Sequence, residues 1–470
     1  MAVNPNYDPF QASASEVNKF LADELNNLSF EQREAMLEEI HGVGNINTID
    51  ETPEFVQQSL CQMESAVQNI RHKPAFDRAV QMNSQYVVGT HQKFWLAFLR
   101  AEVFDIQKAA LRYTRHLDIL FKHFGDVALM RPIYFDDLGP VDLAGIQNGW
   151  VQLLSRRDVT GRRIVKLGGS AQDMPPMANM MHVTLYYYSL LMFDEETSKR
   201  GVVIVNKLPA NLGNVMDVTD FRAIGELSMS IPCRIAAMHM CLPSDERAAN
   251  FIRAASMIWS PSASDRVRTQ VHFGSPLEWQ YQLLSFGLPG TELQHLLSGE
   301  LDPKSVSKCF VAFEAVDNAR KRFAVSHGIF CTASDVPWIE CPGRYDILFA
   351  QGGNGWSHTG NQEFRSLLES RRQEHSEAQN KEKAQIIDEI VETLRRDNYR
   401  FLSYYKDHAV WMLIDENAAI RNKVAVAMRD HVRRHIKNVS KPQVEHSDTS
   451  QFLPHNEKRQ KLGNGIWCSS

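Results

Sequence analysis

The stretch from Asp346 to Phe364 reads DILFAQGGNGWSHTGNQEF and has the glycines of a phosphate-binding loop. Such a loop points successive backbone N–H groups at a phosphate, then supplies a lysine for the charge and a hydroxyl for the Mg²⁺ ion. Gly355 and Gly360 have the separation of that motif, but Asn361 and Gln362 stand where the lysine and the hydroxyl should follow. The dinucleotide-binding version fails as well, because a histidine takes the place of the third glycine. The sequence therefore predicts a structural loop.

No other pattern in the chain supplies the side chains of an active site. The metalloprotease pattern H-E-x-x-H and the nucleophile pattern G-x-S-x-G are both absent. The seven cysteines are odd in number and include no C-x-x-C pair, which favours a reducing compartment over a disulfide framework or a zinc site. We therefore expect a protein that is not an enzyme, with no catalytic residue, no metal and no cofactor.

Composition restricts the class of protein further. The 470 residues are enough for two or three domains, and 43% hydrophobic and 23% charged residues are typical of a soluble globular protein. A formal charge of -5 excludes a nucleic-acid binder that is basic over its whole length. The start MAVNPNYDPF lacks the features of a signal peptide, and no apolar run reaches the length of a membrane span. These features predict a cytoplasmic protein.

Short β-rich runs alternate with helical stretches over residues 162–288. The runs VVIV and IAAMHMCL are apolar throughout, as expected of strands covered on both faces. We expect βαβ units that form a mostly parallel sheet with covering helices, preceded by a helical lobe that begins before Phe94. Farther upstream, Ser29 and Gln32 form a capping box for a helix that Gly42 ends.

This pattern divides the chain into five parts. The parts are a helical extension (1–84), an α/β domain (85–290, with a helical lobe at 85–140 and a sheet lobe at 141–290), a connector (291–344), a small α+β domain (345–436) and a tail (437–470). The α+β domain should contain two helices, a hairpin around Lys406-Asp407-His408 and a last helix. The polar tail is expected to be disordered.

Two motifs in the α/β segment resemble those of a known family. The stretch from Trp95 to Arg112 reads WLAFLRAEVFDIQKAALR and is similar to the helical entry motif F-L-R-A-x-x-F-D-x-x-K-A of CRAL-TRIO lipid-binding proteins. The stretch RRDVTGRRIVKL resembles their strand entry R-D-x-x-G-R-P-V, with Arg163 in place of proline. The family includes yeast phosphatidylinositol-transfer proteins and tocopherol- and retinal-binding proteins. The resemblance covers residues 85–290, somewhat less than half of the chain.

This resemblance implies a lipid carrier. The sheet would form the floor of a long apolar cavity, and the helix after the third strand would act as its gate. Burial of a sixteen-carbon chain contributes about 10 kcal/mol, at about 0.8 kcal/mol for each CH₂ group. The implied function is the binding of a phospholipid or an isoprenoid for lipid transfer or lipid sensing, by a protein that contacts membrane surfaces transiently.

Site residues follow from this resemblance. The gate helix would turn one apolar stripe toward the ligand: Ala248, Phe251, Ile252, Ala255, Ile258 and Trp259. The cavity walls would come from an aromatic helix and from the strands: Tyr186, Leu190, Phe193, Val203, Val205, Ala237, His239, Cys241, Val271 and Phe273. The competing interpretation is an amphipathic helix on a solid core, in which the histidine is a hydrogen-bonded core residue.

The headgroup contacts of phosphatidylinositol-binding members are not expected here. Those members carry the motifs Y-P-E-R and S-K-I, whereas this chain has Ile231-Pro232-Cys233-Arg234 and Arg268-Thr269 at those places. Arg253, Arg266 and Arg268 are the candidates for contact with a lipid phosphate or a membrane. The alternative is that these arginines are solvated surface charges.

The glycine-rich loop belongs to a second resemblance. Residues 345–435 resemble a domain of unknown function found mainly in diatoms and related algae, whose signature is D-V-L-x-G-R-G followed by H-x-G-N-x-x-F-R. Ala350 and Gln351 replace the Gly-Arg of the signature, so any anion-binding role of that arginine is lost. The matching positions include Asp346, Gly352, His358, Gly360, Asn361, Phe364 and Trp411.

A second hypothesis places the function in this C-terminal domain. Its helices and hairpin would form a winged-helix-like arrangement whose last helix binds nucleic acid or a protein, which leaves a nuclear location open. The same basic helix would also suit contact with an anionic membrane. Its cations are Arg421, Lys423, Arg429, Arg433, Arg434 and Lys437.

Overall fold

The computed structural model describes residues 13–439, except for 44–48, 90, 170–173, 193, 210–215, 245, 261–262, 291–292, 294–296, 298–302, 328–335, 337, 350–354 and 356. The protein has an α/β part built on a five-stranded sheet and a C-terminal part built on a four-stranded sheet. An α/β domain followed by a small α+β domain is therefore confirmed as the fold class. No described helix is both long and apolar enough to cross a bilayer.

Eight α-helices precede the first strand in the described part of the chain. They are α1 (Ala14–Asn26), α2 (Phe30–His41), α3 (Pro53–Asn69), α4 (Pro74–Gln81), α5 (His91–Ala101), α6 (Ile106–Phe124), α7 (Val127–Met130) and α8 (Pro140–Gln147). The predicted capping box is confirmed: Gln32 accepts from the Ser29 N–H at 3.0 Å, and Ser29 accepts from the Gln32 N–H at 3.2 Å. Gly42 ends α2 in the left-handed conformation, with φ of 63°.

One hydrophobic core joins the predicted extension to the helical lobe. Met63 of α3 and Phe76 of α4 are buried together with Phe98 of α5 and Tyr113 of α6. The Tyr113 ring lies 6.3 Å from the Phe76 ring and 5.4 Å from the Phe98 ring. The domain boundary predicted at residue 84 thus runs through a packed core, and α3 and α4 are part of the helical lobe.

The five-stranded sheet has its strands in chain order. They are β1 (Val151–Arg157), β2 (Arg163–Leu167), β3 (Val202–Lys207), β4 (Ile235–Leu242) and β5 (Thr269–Phe273). The strands from β2 to β5 are parallel, as predicted, and β1, which the sequence analysis missed, pairs antiparallel to β2. The crossover helices are α9 (Met177–Leu191), α10 (Glu195–Arg200), α11 (Val218–Ser228), α12 (Glu246–Trp259) and α13 (Ala263–Val267), and α14 (Pro276–Leu284) follows β5.

The residues of the R-D-x-x-G-R motif form the turn between β1 and β2. Asp158 Oδ1 accepts hydrogen bonds from the backbone N–H groups of Thr160 and Arg162 at 3.0 and 2.8 Å. Gly161 has φ of 89°, a conformation that only glycine adopts without strain. Arg157 donates to the Gly161 carbonyl at 3.0 Å. These residues close the turn that starts β2, so the motif has a structural role in this hairpin.

The two faces of this sheet pack against different helices. Face A carries the apolar residues of β3 and β4 that lie under α14 and α2: Val203, Val205, Ala237 and Cys241. Face B carries Met240 and Leu242 of β4, which lie under α11 and α12. Val165 and Val202, also on face B, pack against the helical lobe. The sheet is therefore covered on both faces, as its apolar strands predict.

The region predicted as a connector contains a long helix, α15 (Pro303–His327), of 25 residues. Phe313 of this helix lies in the main core. Asp317 and Arg320 are 1% and 0% exposed and form an ion pair of 2.8 Å. This helix is therefore an integral part of the α/β body.

The C-terminal part has strands in the order β6-β9-β8-β7. Its elements are β6 (Trp338–Ile339), β7 (Asp346–Phe349), α16 (Thr359–Ser370), α17 (Arg372–Glu377), α18 (Asn380–Arg396), β8 (Arg400–Tyr405), β9 (Val410–Leu413) and α19 (Asn417–Val439). The predicted hairpin is confirmed, since β8 and β9 are antiparallel and joined by a 3-10 turn at Lys406–His408. Strand β7 lies parallel to β8. The tail from residue 440 onward lies outside the described residues.

Candidate functional site

Helix α12, the predicted gate, lies on face B. The described residues of its apolar stripe pack against Phe221 of α11 and against β4: Phe251, Ile252, Ala255, Ile258 and Trp259. Ile252 and Ala255 are 1% and 0% exposed, whereas Phe251 and Ile258 are partly buried. The stripe therefore faces the sheet. The side chain of Ala248 lies outside the described residues.

The predicted cavity walls lie on opposite faces of the sheet. Val271 and Phe273 pair with Met240 and Leu242 and lie on face B, beside α12. The other five strand residues lie on face A: Val203, Val205, Ala237, His239 and Cys241. Successive residues of a strand point to opposite faces, so one ligand cannot contact both sets. The prediction that all seven line a single cavity is wrong, and only Val271 and Phe273 share a face with the gate.

His239 is a hydrogen-bonded core residue. It is 0% exposed, and its Nδ1 lies 2.9 Å from His272 Nε2. His272 Nδ1 in turn lies 3.1 Å from Gln282 Oε1. Burial lowers the pKa of His239 well below its ordinary value, so the ring is neutral. His239 therefore agrees with the competing interpretation of the sequence, a hydrogen-bonded core histidine.

Two residues of the aromatic helix that were predicted to line the cavity, Tyr186 and Leu190, belong to the main core. Tyr186 and Leu190 of α9 are 0% and 4% exposed. The Tyr186 hydroxyl donates to Asp317 Oδ2 at 3.0 Å, which joins α9 to α15. Both side chains thus pack helices together in this conformation. Phe193 lies outside the described residues.

Two of the three arginines predicted to bind a headgroup are held by the N-terminal helices. Arg266 donates to Glu24 of α1 at 2.5 Å, and Arg268 donates to Glu39 of α2 at 2.8 and 3.0 Å. Arg266 is 7% exposed. Neither arginine is free to bind a lipid phosphate in this conformation, and their headgroup role stays a prediction. Arg253 is partly exposed on α12 and lies 3.4 Å from Asn250.

Helix α1 covers the outer side of α12. Val17 of α1 is buried with Ala254 and Met257 of α12. The Arg266 guanidinium lies 5.6 Å from the centre of the Phe20 ring, within the range of a cation–π contact. Helix α12 is therefore held between face B and α1, and it cannot leave the sheet without moving α1.

Apolar surface continues from beneath α12 to the edge of the sheet. Strand β5 is the last strand of the order, so no described strand covers its outer edge. Val271 and Phe273 of β5 and Met238 of β4 are only partly buried against the α12 cluster. Together these side chains form an apolar floor that reaches the edge of the sheet next to the gate.

The signature residues of the C-terminal domain build a framework around Asp346. This carboxylate is 1% exposed and accepts two hydrogen bonds from Arg400, at 2.7 and 2.8 Å, and one from the Gly343 N–H at 2.6 Å. A Cβ atom on Gly360 would lie 2.3 Å from the Asp346 carbonyl oxygen. Glycine at this position therefore lets α16 start directly against β7.

Other signature residues complete this framework. The Asn361 side chain accepts from the Leu348 N–H at 2.6 Å and donates to the Leu348 carbonyl at 2.9 Å. Phe364 lies in the domain core, and the Trp411 ring lies 5.1 Å from the Tyr404 ring. The described part of the glycine-rich loop thus has the structural role that the sequence predicts. Gly352 lies outside the described residues.

The basic last helix, α19, is partly neutralised by acids of neighbouring helices. Arg421 donates to Asp388 of α18 at 2.7 Å. His431 Nε2 lies 2.6 Å from Glu369 of α16. These acids reduce the positive potential of the helix, which weakens the nucleic-acid hypothesis.

Described residues form two cavities where the α/β part meets the C-terminal part. The larger, about 960 Å³, is lined by ion pairs such as Arg100–Glu51 and Lys199–Glu195. The smaller, about 610 Å³, is lined by the β1–β2 hairpin, α15 and the start of α16. None of the described gate or cavity-wall residues lines either of them. Sequence reasoning missed both cavities, because they form between segments far apart in the chain.

Comparison with known proteins identifies only the C-terminal part. No curated protein matches the chain significantly. Residues 346–430 match the family described as a domain of unknown function (DUF6824), in agreement with the second resemblance. This match does not extend to residues 85–290, so the CRAL-TRIO resemblance of that segment stays a prediction.

Proposed function

We propose that the α/β part binds a hydrophobic ligand, a phospholipid or an isoprenoid, between α12 and face B, for lipid transfer or lipid sensing at membranes. The observation that carries this proposal is the apolar interface of α12 with face B and its continuation along β5. The CRAL-TRIO resemblance of residues 85–290 supports the same location, because the helix after the third parallel strand would be the gate.

In this proposal the described conformation is the closed one. The stripe of α12 fills the space above face B, so a ligand enters by displacing the helix. Each CH₂ group of an acyl chain that takes the place of the stripe contributes about 0.8 kcal/mol of burial. The displaced stripe would be covered by the membrane, with Trp259 at the interface, where tryptophan is favoured.

Opening also requires the release of α1. The contacts of Val17 hold α1 on the gate, and the Glu24–Arg266 pair holds it on α13, which follows the gate. Breaking the pair would free Arg266 for a lipid phosphate at the moment when the gate opens. The headgroup role of this arginine then belongs to the open state.

Native mass spectrometry of the purified full chain, followed by lipid extraction, tests whether a ligand is bound. The expected result is a bound mass in the range of a phospholipid or an isoprenoid. A chain that carries no lipid and takes up none from vesicles would contradict the proposal.

A matched pair of substitutions on β5 tests the location. Val271→Trp fills the space on face B, whereas Gln270→Trp places the same side chain on face A of the same edge strand, and both residues are partly buried. We expect Val271→Trp to weaken the binding of a fluorescent phospholipid at least about tenfold, as the loss of several buried CH₂ groups predicts. Gln270→Trp should bind like the wild type. Equal affinities of the two variants would exclude this site.

A further inference from the structure

The cavity of about 610 Å³ has an excess of basic side chains. Among its described lining residues, five are basic: Arg156, Arg157, Arg163, Lys308 and Arg344. Two are acidic, Asp158 and Glu340. Asp158 is paired with Arg162, and Glu340 with Arg163 at 2.6 Å. Both acids are therefore already neutralised, and their charge is not available to the other bases.

Two of these basic residues, Arg344 and Lys308, have no close acidic partner in the described part of the chain to neutralise their charge. Arg344 has its ion-pair contact with Glu363 at 3.9 Å, which is too long for a hydrogen bond. Lys308 is exposed on α15, at the rim of the cavity. The larger cavity differs in this respect, because most of its acids and bases form ion pairs, as in Lys199–Glu195 at 2.8 Å. An anion is thus favoured in the smaller cavity only.

Three residues that line the smaller cavity each have a buried side-chain nitrogen atom without a hydrogen-bond partner among the described residues. These atoms are Arg163 Nε, Arg344 Nε and His358 Nδ1. Arg163 is 1% exposed, so its free N–H cannot be satisfied by bulk water. A buried donor that stays unpaired costs about 1–3 kcal/mol, and native structures leave few of them. Two of the three, Arg163 Nε and Arg344 Nε, are donors, and two unpaired donors in the lining of one cavity favour a ligand with acceptor oxygens.

The start of α16 adds to this preference for an anion. Ser357, His358 and Thr359 at the N-terminus of this helix line the cavity, and the side chain of the N-cap residue, His358, does not cap the helix. A helix N-terminus carries partial positive charge and unpaired N–H groups, which bind phosphate. Burial lowers the pKa of His358, so its ring is neutral. The ring donates a hydrogen bond to the Asp346 backbone, which leaves Nδ1 as an acceptor for a protonated oxygen of the ligand.

The remaining walls are apolar. Phe313 of α15, Leu153 of β1 and Trp411 of β9 line the cavity together with the basic residues. Inorganic phosphate alone would leave this surface uncovered. An apolar substituent on the phosphate would cover it.

We propose that this cavity binds a phosphate monoester with an apolar substituent. Arg344, Lys308 and the start of α16 contact the phosphate group, and the aromatic side chains contact the substituent. The site lies between the α/β part and the C-terminal domain, so its ligand would join the two. This inference is independent of the lipid site on face B.

Calorimetric titration of the full chain tests the proposal. The probes are phenyl phosphate, inorganic phosphate, phenol and phosphatidylcholine vesicles that contain phosphatidic acid. We expect phenyl phosphate to bind more tightly than inorganic phosphate, phenol not to bind, and added salt to weaken the binding. Binding to the phosphatidic acid vesicles alone would identify a lipid headgroup as the source of the monoester.

Substitutions locate the binding. Lys308→Gln and Arg344→Gln should each weaken it about tenfold, as expected for the loss of one charge-assisted contact. Arg396→Gln is the control, because Arg396 is 75% exposed and does not line the cavity. If Arg344→Gln fails to fold, Lys308→Gln still tests the proposal, because Lys308 is exposed and its replacement should not disturb folding. No binding of any phosphate probe, or binding that neither substitution weakens, overturns the proposal.

Discussion

Replacement of Glu24 by glutamine should release the gate. Glu24 and Arg266 form a two-pronged ion pair whose side chains are 15% and 4% exposed. Loss of one partner of a fully buried pair costs about 3–5 kcal/mol. Because Glu24 keeps some contact with water and glutamine still accepts a hydrogen bond, we expect a loss of about 1.5–3 kcal/mol in the closed state. The fold should be kept, since Arg268 still binds Glu39.

This loss has a direct kinetic consequence. A destabilisation of about 1.5–3 kcal/mol raises the ratio of open to closed protein roughly 10- to 150-fold. While the open state stays rare, the association rate of a lipid is proportional to its population. The rate of lipid uptake should therefore rise by a similar factor, and hydrogen exchange of the α12 amides should become faster.

Stopped-flow uptake of a fluorescent phospholipid and hydrogen exchange measure these two effects. Asp23→Asn is the matched control, because it removes the same charge from the exposed neighbouring position of α1. Unchanged uptake and exchange in Glu24→Gln would show that the Glu24–Arg266 pair does not hold the gate closed. An equal change in both variants would refute it as well, since net charge would then be the cause.

Three further predictions concern stability, measured as the free energy of unfolding in urea. Asp346→Ala should destabilise the C-terminal domain by about 2–3 kcal/mol, because it removes the acceptor of three hydrogen bonds. Asp388→Ala is its control, since it breaks only the exposed pair with Arg421 and should cost at most about 1 kcal/mol. Gly360→Ala should cost about 2 kcal/mol or more through its backbone clash, and Gly139→Ala, whose Cβ would meet only a side chain at 3.5 Å, should not. Burial lowers the pKa of His116 to about 3, so only the unfolded chain binds a proton at this residue as the pH falls below about 6.5. Between pH 6.5 and 5 the free energy of unfolding should therefore fall by about 2 kcal/mol more in the wild type than in His116→Phe. Equal losses in any of these pairs would contradict the corresponding assignment.

Local signals carried the prediction of the parallel sheet and its crossovers. Caps such as Ser29 and apolar strands such as β3 and β4 are read directly from neighbouring residues. Which residues of each strand lie on which face of the sheet could not be predicted from such local signals. Both faces of the sheet are covered, so Met240 and Cys241 are equally apolar, and hydrophobicity does not tell which of them faces the gate.

Long-range ion pairs were out of reach for the same reason. Arg266 and Arg268 look like free surface charges in the sequence, because their partners Glu24 and Glu39 precede them by 242 and 229 residues. Strand β1 was missed because its sequence VQLLSRR does not alternate between apolar and polar residues. In each case the structure depends on contacts that no local pattern specifies.

Photo-crosslinking with a phospholipid that carries a diazirine in its acyl chain tests the lipid site most directly. If the acyl chain lies between α12 and face B, labelled peptides should come from face B of β4 and β5 and from α12, in the full chain after uptake from vesicles. Labelling of Val203, Val205 or α14 on face A instead, or labelling confined to the protein surface, would contradict it.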